Sequence, residues 1–269
     1  MVEVRAVQAV LEDLRAEGEA LDALVAPLGA EGWAAGTPAA GWTVAHQVAH
    51  LAWTDGRALL AVRDPDGFTA ELGGDLAELA ASVDKGAAAG AAEPYARLLA
   101  RWRAGRDALL EALGAAPPGA RFPWYGPPMS TASVATGRLM ETWAHGEDVA
   151  DTFGVRRAPT ARLRHVARIA VRARDYAFAV HGMAPPAEEF RVELAAPDGG
   201  LWTYGPPDAA QRVTGPALDF CLLAVRRRHR DDTAVRAQGP DADRWLSVAQ
   251  AFAGPPGAGR APAADGGAA

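Results

Sequence analysis

The sequence predicts a mainly α protein in which an N-terminal four-helix bundle is followed by a small α+β domain. Three observations carry this. Apolar residues recur at helical spacing through the first two-thirds of the chain. Gly- and Pro-rich stretches divide that region into long segments. After Pro185-Pro186 the pattern shortens to strand-like runs around turn sequences. The expected domains are 1–183 and 184–254, with a tail at 255–269.

Val4, Val7, Val10, Leu11, Leu14, Leu21, Leu24 and Val25 mark a first helix over 3–27. A loop with Gly32, Gly36, Pro38 and Gly41 follows. Thr43 is placed as the N-cap of a second helix running to Val62, which the turn sequence Asp64-Pro65-Asp66-Gly67 ends. A third helix spans 93–113, with Tyr95, Leu98, Leu99, Trp102, Leu109 and Leu110 expected on its inner face. FPWYGPPMS is a proline-locked aromatic loop, and Ser130 or Thr131 caps a fourth helix to Phe153. A fifth helix covers 160–181. In the second domain FRVELAA and LWTYG flank the turn Pro197-Asp198-Gly199-Gly200 as strands. QRVTG, a helix over 216–228, the strand-like TAVRAQG and the helix DADRWLSVAQAFA follow, making a sandwich-like α/β arrangement. The tail is too rich in Gly, Pro and Ala to order itself.

Composition narrows the function. With 49% hydrophobic residues the chain has a real core, and a net charge of −6 speaks against electrostatic nucleic-acid binding. No apolar run approaches the ~20 residues that span a bilayer, and the acidic, periodic N-terminus is unlike a signal peptide. The single cysteine, Cys221, lies in the apolar run LDFCLLAV and reads as a buried thiol. A cytoplasmic protein without membrane or nucleic-acid partners is the expectation.

Chemistry concentrates in two segments. GWTVAHQVAHL contains HQVAH, which differs from the zinc-protease helix H-E-x-x-H by Gln47 in place of the general base. His46 and His50 are four apart, so they share a helix face, with Trp42, Trp53 and Arg57 near the same stripe. In ETWAHGEDVADTFG, Glu141 and His145 are also four apart, on an otherwise mostly apolar helix. One histidine of helix two with Glu141 and His145 would make a two-histidine, one-carboxylate set between facing helices. Such a set suits Zn2+ best, with Ni2+, Fe2+ or Mn2+ as alternatives, and leaves a position open for substrate. The ordinary reading of each pair is a hydrogen-bonded core histidine or a helix-surface ion pair.

WTVAHQVAHLAWTD together with RLMETWAHGEDVAD resembles the DinB-like superfamily, in its mycothiol-dependent maleylpyruvate isomerase branch. The resemblance implies that His50, Glu141 and His145 are the metal ligands. His46 stands where many relatives carry Asp and is assigned behind the ligands or facing substrate; Asp148 would orient His145 or cap a neighbouring element. Arg227 matches the family's arginine, suited to a carboxylate substrate, although cations also favour a helix C-terminus. Trp53, Trp124, Tyr125, Met129 and Ser130 are candidates for the cosubstrate pocket, with a hydrophobic plug as the alternative for the aromatic loop. The implied activity uses a low-molecular-weight thiol, mycothiol, to isomerise or conjugate a small electrophile. A thiol-independent metal hydrolase and a non-catalytic metal-containing binder are the competing readings. The oligomeric state stays open between monomer and dimer.

Overall fold

The computed structural model describes residues 2–72 and 76–263, with side chains over 4–72 and 81–263. Contacts divide the chain into two compact units at Arg157 and Ala158. The change in periodicity puts the expected boundary at 183/184 instead. The difference lies in the fifth helix, which packs within the second unit, where the Cys221 thiol donates to the Leu163 carbonyl. Periodicity marks an element but not the core that it joins.

The first unit runs α1 (Val2–Val25), α2 (Ala30–Ala34), α3 (Val44–Arg63), α4 (Pro65–Ala70), α5 (Leu76–Ala91), α6 (Tyr95–Gly114), the short hairpin β1 (Arg121–Phe122) and β2 (Met129–Ser130), and α7 (Thr131–Thr152). The expected bundle is α1, α3, α6 and α7: α3 packs on α6 and α7, and α1 on the same two. Leu21, Val25, Val44, Val48, Leu51, Leu98, Trp102 and Val149 interdigitate at its centre. Helix α5 was not foreseen from sequence. Its run LAELAASVDKGAAAGA has large apolar residues only at Leu76, Leu79 and Val83, and its second half packs on α3 through small ones. A Cβ on Gly86 would stand 2.5 Å from the Trp53 ring, and one on Gly90 would stand 2.8 Å from the Ala49 Cβ.

Local chemistry starts and stops these helices. Thr43 caps α3 in a capping box whose third residue is a histidine: the His46 Nδ1 takes the Thr43 backbone N–H at 3.3 Å and meets its hydroxyl at 2.8 Å. Asp64 ends α3 and caps α4 by accepting from the Gly67 N–H at 2.9 Å. Ser130, not Thr131, caps α7, its hydroxyl accepting from the Ser133 N–H. Asp22 of α1 takes a 2.7 Å hydrogen bond from Arg103 of α6 and faces Arg106 at 3.5 Å, tying the two helices. The Arg103 hydrogen bond holds the Asp22 carboxyl below its usual pKa, burial opposing it.

The second unit contains α8 (Leu163–Arg172), α9 (Arg174–Val180), β3 (Phe190–Ala195), β4 (Leu201–Tyr204), β5 (Gln211–Pro216), α10 (Ala217–Ala224), a 3-10 turn at Arg230–Asp232, β6 (Arg236–Gln238) and α11 (Pro240–Val248). Its sheet has the order β4-β3-β5-β6, with β3 and β5 parallel and the outer pairs antiparallel. The protein is thus mainly α with a small α+β part. Three expected helices are shorter than periodicity suggested. The helix expected over 160–181 starts at Leu163 and breaks at Ala173, and α11 stops at Val248, before Ala251 hydrogen-bonds to the Ala224 carbonyl. Helix α10 stops at Ala224, so Arg226, Arg227 and Arg228 lie beyond it rather than in its last turn. The Arg226 N–H bonds the Leu223 carbonyl and the Arg227 N–H bonds the Leu222 carbonyl, the pairing that closes a helix through a left-handed residue. That residue is Arg226 at φ 60°, the position where glycine is usual.

Of the tail expected at 255–269, positions 264–269 lie outside the described residues. Residues 255–263 have no regular structure but are tethered: the Ala263 N–H donates to Asp232 at 2.9 Å, and Arg226 reaches the Gly257 carbonyl.

Two measurements check these interactions. Arg226→Gly relieves the left-handed arginine and raises stability by about 1 kcal/mol in urea unfolding. Asp22→Asn lowers stability by about 1 kcal/mol at neutral pH. Because the folded pKa of Asp22 is depressed, that difference is full above the unfolded value of about 4 and shrinks as pH falls through the folded one.

Candidate metal centre

Helices α3 and α7 meet antiparallel along three polar rungs. Gln47 faces His145, His50 faces Glu141, and Thr54 with Asp55 faces Arg138. Each step along one helix is three to five residues, so the rungs stack on one face of each helix. Successive rungs run up α3 and down α7, which keeps them in register.

The middle rung carries the donor cluster. His50, Glu141 and His145 each offer one ligand atom, all within 4.8 Å of one another. The Glu141 Oε2 lies 3.4 Å from the His50 Nε2 and 3.3 Å from the His145 Nε2. A tetrahedral zinc ion with ligand bonds of ~2.05 Å has ligand atoms about 3.3 Å apart, so these spacings suit such an ion. Both histidines are buried, whereas Glu141 is partly open to solvent. Burial works to raise the Glu141 pKa, but hydrogen bonds and charge from His145 and His50 outweigh it and hold the carboxyl well below its ordinary range. The Trp42 ring centroid lies 5.5 Å from that of His50 and 6.0 Å from that of His145, nearly parallel to the latter. Trp42 therefore covers the histidine side of the cluster.

Below and above it, the flanking rungs lock the two helices. The buried Arg138 donates to Asp55 at 2.8 Å and to the Thr54 hydroxyl at 2.6 Å. Thr54 in turn donates to the His50 carbonyl at 2.9 Å. At the other end the fully buried Gln47 accepts from the His145 Nδ1 and donates to the Thr37 hydroxyl at 2.9 Å. The glycine after His145 also has a reason. A Cβ on Gly146 would stand 2.8 Å from an Arg157 nitrogen, and that guanidinium is held by Glu17, Glu147 and the Trp143 carbonyl.

The structure thus brings His50, Glu141 and His145 together. The other candidate residues have the following local partners. His46 is spent on the α3 cap and is outside the cluster. The Trp53 indole lies against Gly86 of α5. Trp124 stacks on Phe68 at 5.8 Å, and the Tyr125 hydroxyl accepts from Arg57 at 3.1 Å, so the aromatic loop packs on α4 and on the later turns of α3. Met129 pairs with Phe122 in the small hairpin, and Ser130 is the α7 cap. Asp148 is buried. Arg227 belongs to the second unit, where it donates to the Val225 carbonyl at 2.9 Å. Burial pushes the Cys221 thiol up, in keeping with an inert cysteine. The second unit also has a cleft of about 670 Å³ lined by arginines, of which Arg228 and Arg230 are paired with Asp219 and Asp243.

Sequence reasoning noted Gln47 only as the residue in place of a general base and missed its contact with His145. The signal was present: Gln47 is three residues before His50, hence its neighbour on the helix face. Thr37 carried no signal, since only the folded loop brings it to Gln47.

Fold and cluster define a class, the antiparallel helical bundle with a metal-type donor set between two helices. Residues 14–150 match the model of the mycothiol maleylpyruvate isomerase N-terminal domain, and the chain belongs to that family. Residues 186–238 match a second model, described as wyosine base formation. An uncharacterized protein of Mycobacterium tuberculosis, found in strains CDC 1551 / Oshkosh and H37Rv, is 57% identical over 248 residues, covering 92% of this chain and 96% of the relative. The crystal structure of the mycothiol-dependent maleylpyruvate isomerase shares the fold, with a TM-score of 0.61 at 16% identity over 87% of this chain and 95% of that one. A histidine-to-alanine mutant of it matches equally well at 15% identity.

The Asp55–Arg138 rung is testable by unfolding. Asp55→Ala leaves a buried guanidinium without its carboxylate and lowers stability by about 3 kcal/mol. Replacing both, as Asp55→Leu with Arg138→Met, recovers most of that loss in the same urea titration.

Proposed function

We propose that this protein holds one divalent metal ion, Zn2+ by preference, on His50, Glu141 and His145. With it the protein uses a low-molecular-weight thiol, mycothiol, to isomerise or conjugate a small electrophile. The observation that carries the reading is the convergence of two imidazole nitrogens on one carboxylate oxygen at tetrahedral spacing. Family membership supplies the thiol and the reaction class. A metal bound there supplies Lewis acidity, which keeps a thiol as its thiolate near neutral pH.

The chain's own groups shape that chemistry. Two neutral imidazoles and one carboxylate leave a divalent site with a net charge of about +1, which favours an anionic sulfur over neutral water. Three protein donors leave room for one more. Trp42 limits water on the histidine side, and the partly open Glu141 marks the solvent-facing side. A thiolate adds its sulfur to one carbon of an electron-poor double bond, and the former π pair moves to the activating group. Rotation about the new single bond and return of that pair expel the thiolate, giving the geometric isomer. Protonation of the adduct instead gives a stable conjugate.

Elemental analysis of purified protein tests the metal. About one divalent ion per chain is expected in the wild type, with loss in His50→Ala, Glu141→Ala and His145→Ala. Turnover of electron-poor alkenes with mycothiol, with and without metal, tests the thiol. Metal-dependent turnover without thiol would replace this reading by the hydrolase, and stoichiometric metal without any turnover by the binder. No metal in either the wild type or a zinc-reconstituted sample would overturn it.

A further inference from the structure

The hydrogen-bond chain behind His145 has a single consistent direction. The Thr37 hydroxyl lies 2.9 Å from the Trp42 carbonyl, which can only accept, so the hydroxyl proton is committed there. Thr37 therefore offers only lone pairs to Gln47, and the side of the amide that faces it at 2.9 Å must be the NH2 group. That orientation turns the Gln47 Oε1 toward the His145 Nδ1. An amide oxygen can only accept, so Nδ1 carries the ring proton. In its neutral form His145 then keeps its proton on Nδ1 and turns the Nε2 lone pair toward the Glu141 carboxylate, 3.3 Å away. Two acceptors at that distance call for a cation between them, either a second proton on the imidazole or a metal ion.

His50 differs. Its Nδ1 is buried and has no hydrogen-bond partner among the described residues, so none of them dictates its tautomer from behind the ring. In the metal-free protein its Nε2–H is free to donate to Glu141 at 3.4 Å. The two histidines of the cluster are therefore unequal: one is preset, the other adaptable.

We propose that Gln47, oriented by Thr37, is the positioning residue that presets His145 as a metal ligand by holding it in the Nδ1–H tautomer. A metal-bound histidine usually hands its second nitrogen's proton to a carboxylate, backbone carbonyl or water. Here a side-chain amide does so, and it adds no negative charge to the buried surroundings of the site. Gln47 is thus neither a lost protease base nor a bystander; it faces the histidine of the other helix. The metal-affinity part of this inference rests on the proposed metal centre, whereas the tautomer part stands without it.

Two experiments on the full-length protein separate those parts. Long-range 15N–1H correlation spectra of the metal-free protein, taken at about pH 8 where an ordinary imidazole is neutral, report the tautomer of each ring. His145→Ala assigns the signal. His145 is expected as Nδ1–H in the wild type, with that preference lost in Gln47→Leu and weakened in Thr37→Val, which frees the amide to turn. An Nε2–H form of His145 in the wild type, or an unchanged Nδ1–H form in Gln47→Leu, would overturn the proposal. Zinc affinity by competition with a chromophoric chelator should fall about 10- to 100-fold in Gln47→Leu. Gln47→Glu, which keeps an acceptor toward His145 but loses the donor to Thr37, should fall between Gln47→Leu and the wild type. Wild-type affinity in Gln47→Leu would sink the positioning role. If the wild type binds no zinc, the metal centre fails while the spectra still decide the tautomer. Should Gln47→Leu not fold, Thr37→Val, at a partly exposed loop position, carries both measurements.

Discussion

The antiparallel contact between α3 and α7 is the constraint on which the rest of the first unit depends. Apolar packing alone would let two helices slide by a turn at modest cost, because one small residue resembles the next. The buried Arg138–Asp55 pair forbids this, since a slip would strand both charges away from water. The Gln47–His145 contact repeats the demand two turns away. Between these rungs His50 and Glu141 have one permitted alignment. Precision at the cluster is therefore produced by polar groups that tolerate only one register.

That arrangement also explains the division of work around the cluster. Each functional side chain stands on a long helix rather than a loop, and each helix is capped by its own sequence, α3 by Thr43 and α7 by Ser130. His46 belongs to this scaffolding: its ring closes the first turn of α3, four residues from the histidine that joins the cluster. Gly146 lets Arg157 reach between Glu17 of α1 and Glu147 of α7, tying the helix that carries Glu141 and His145 to its neighbour. The aromatic loop serves the far end of α3, where Trp124 and Tyr125 gather on Phe68 and Arg57.

Several elements were legible from residues alone. The four bundle helices follow from apolar spacing, and their ends from Thr43, Asp64-Pro65 and Ser130, because capping is a local transaction between neighbouring atoms. The pairs Glu141/His145 and His46/His50 were legible because four residues make one helical turn. Helix α5 was not, since packing through Gly86 and Gly90 leaves its apolar stripe short, ending at Val83. The end of α10 was not either: an arginine in a left-handed conformation carries none of glycine's warning.

The sequence by itself determined the four bundle helices, where the polar clusters sit along them, and that two such clusters could face each other. Helical geometry converts spacing into direction, and that step needs no other part of the chain. Spacing left open which histidine joins Glu141 and His145, and the family resemblance named His50; only the tertiary structure decided that Gln47 stands behind His145 and that Thr37 orients Gln47. Those relations join residues up to 98 positions apart. They depend on the register of α3 against α7 and on the path of the loop before α3, which distant packing sets and no local pattern encodes.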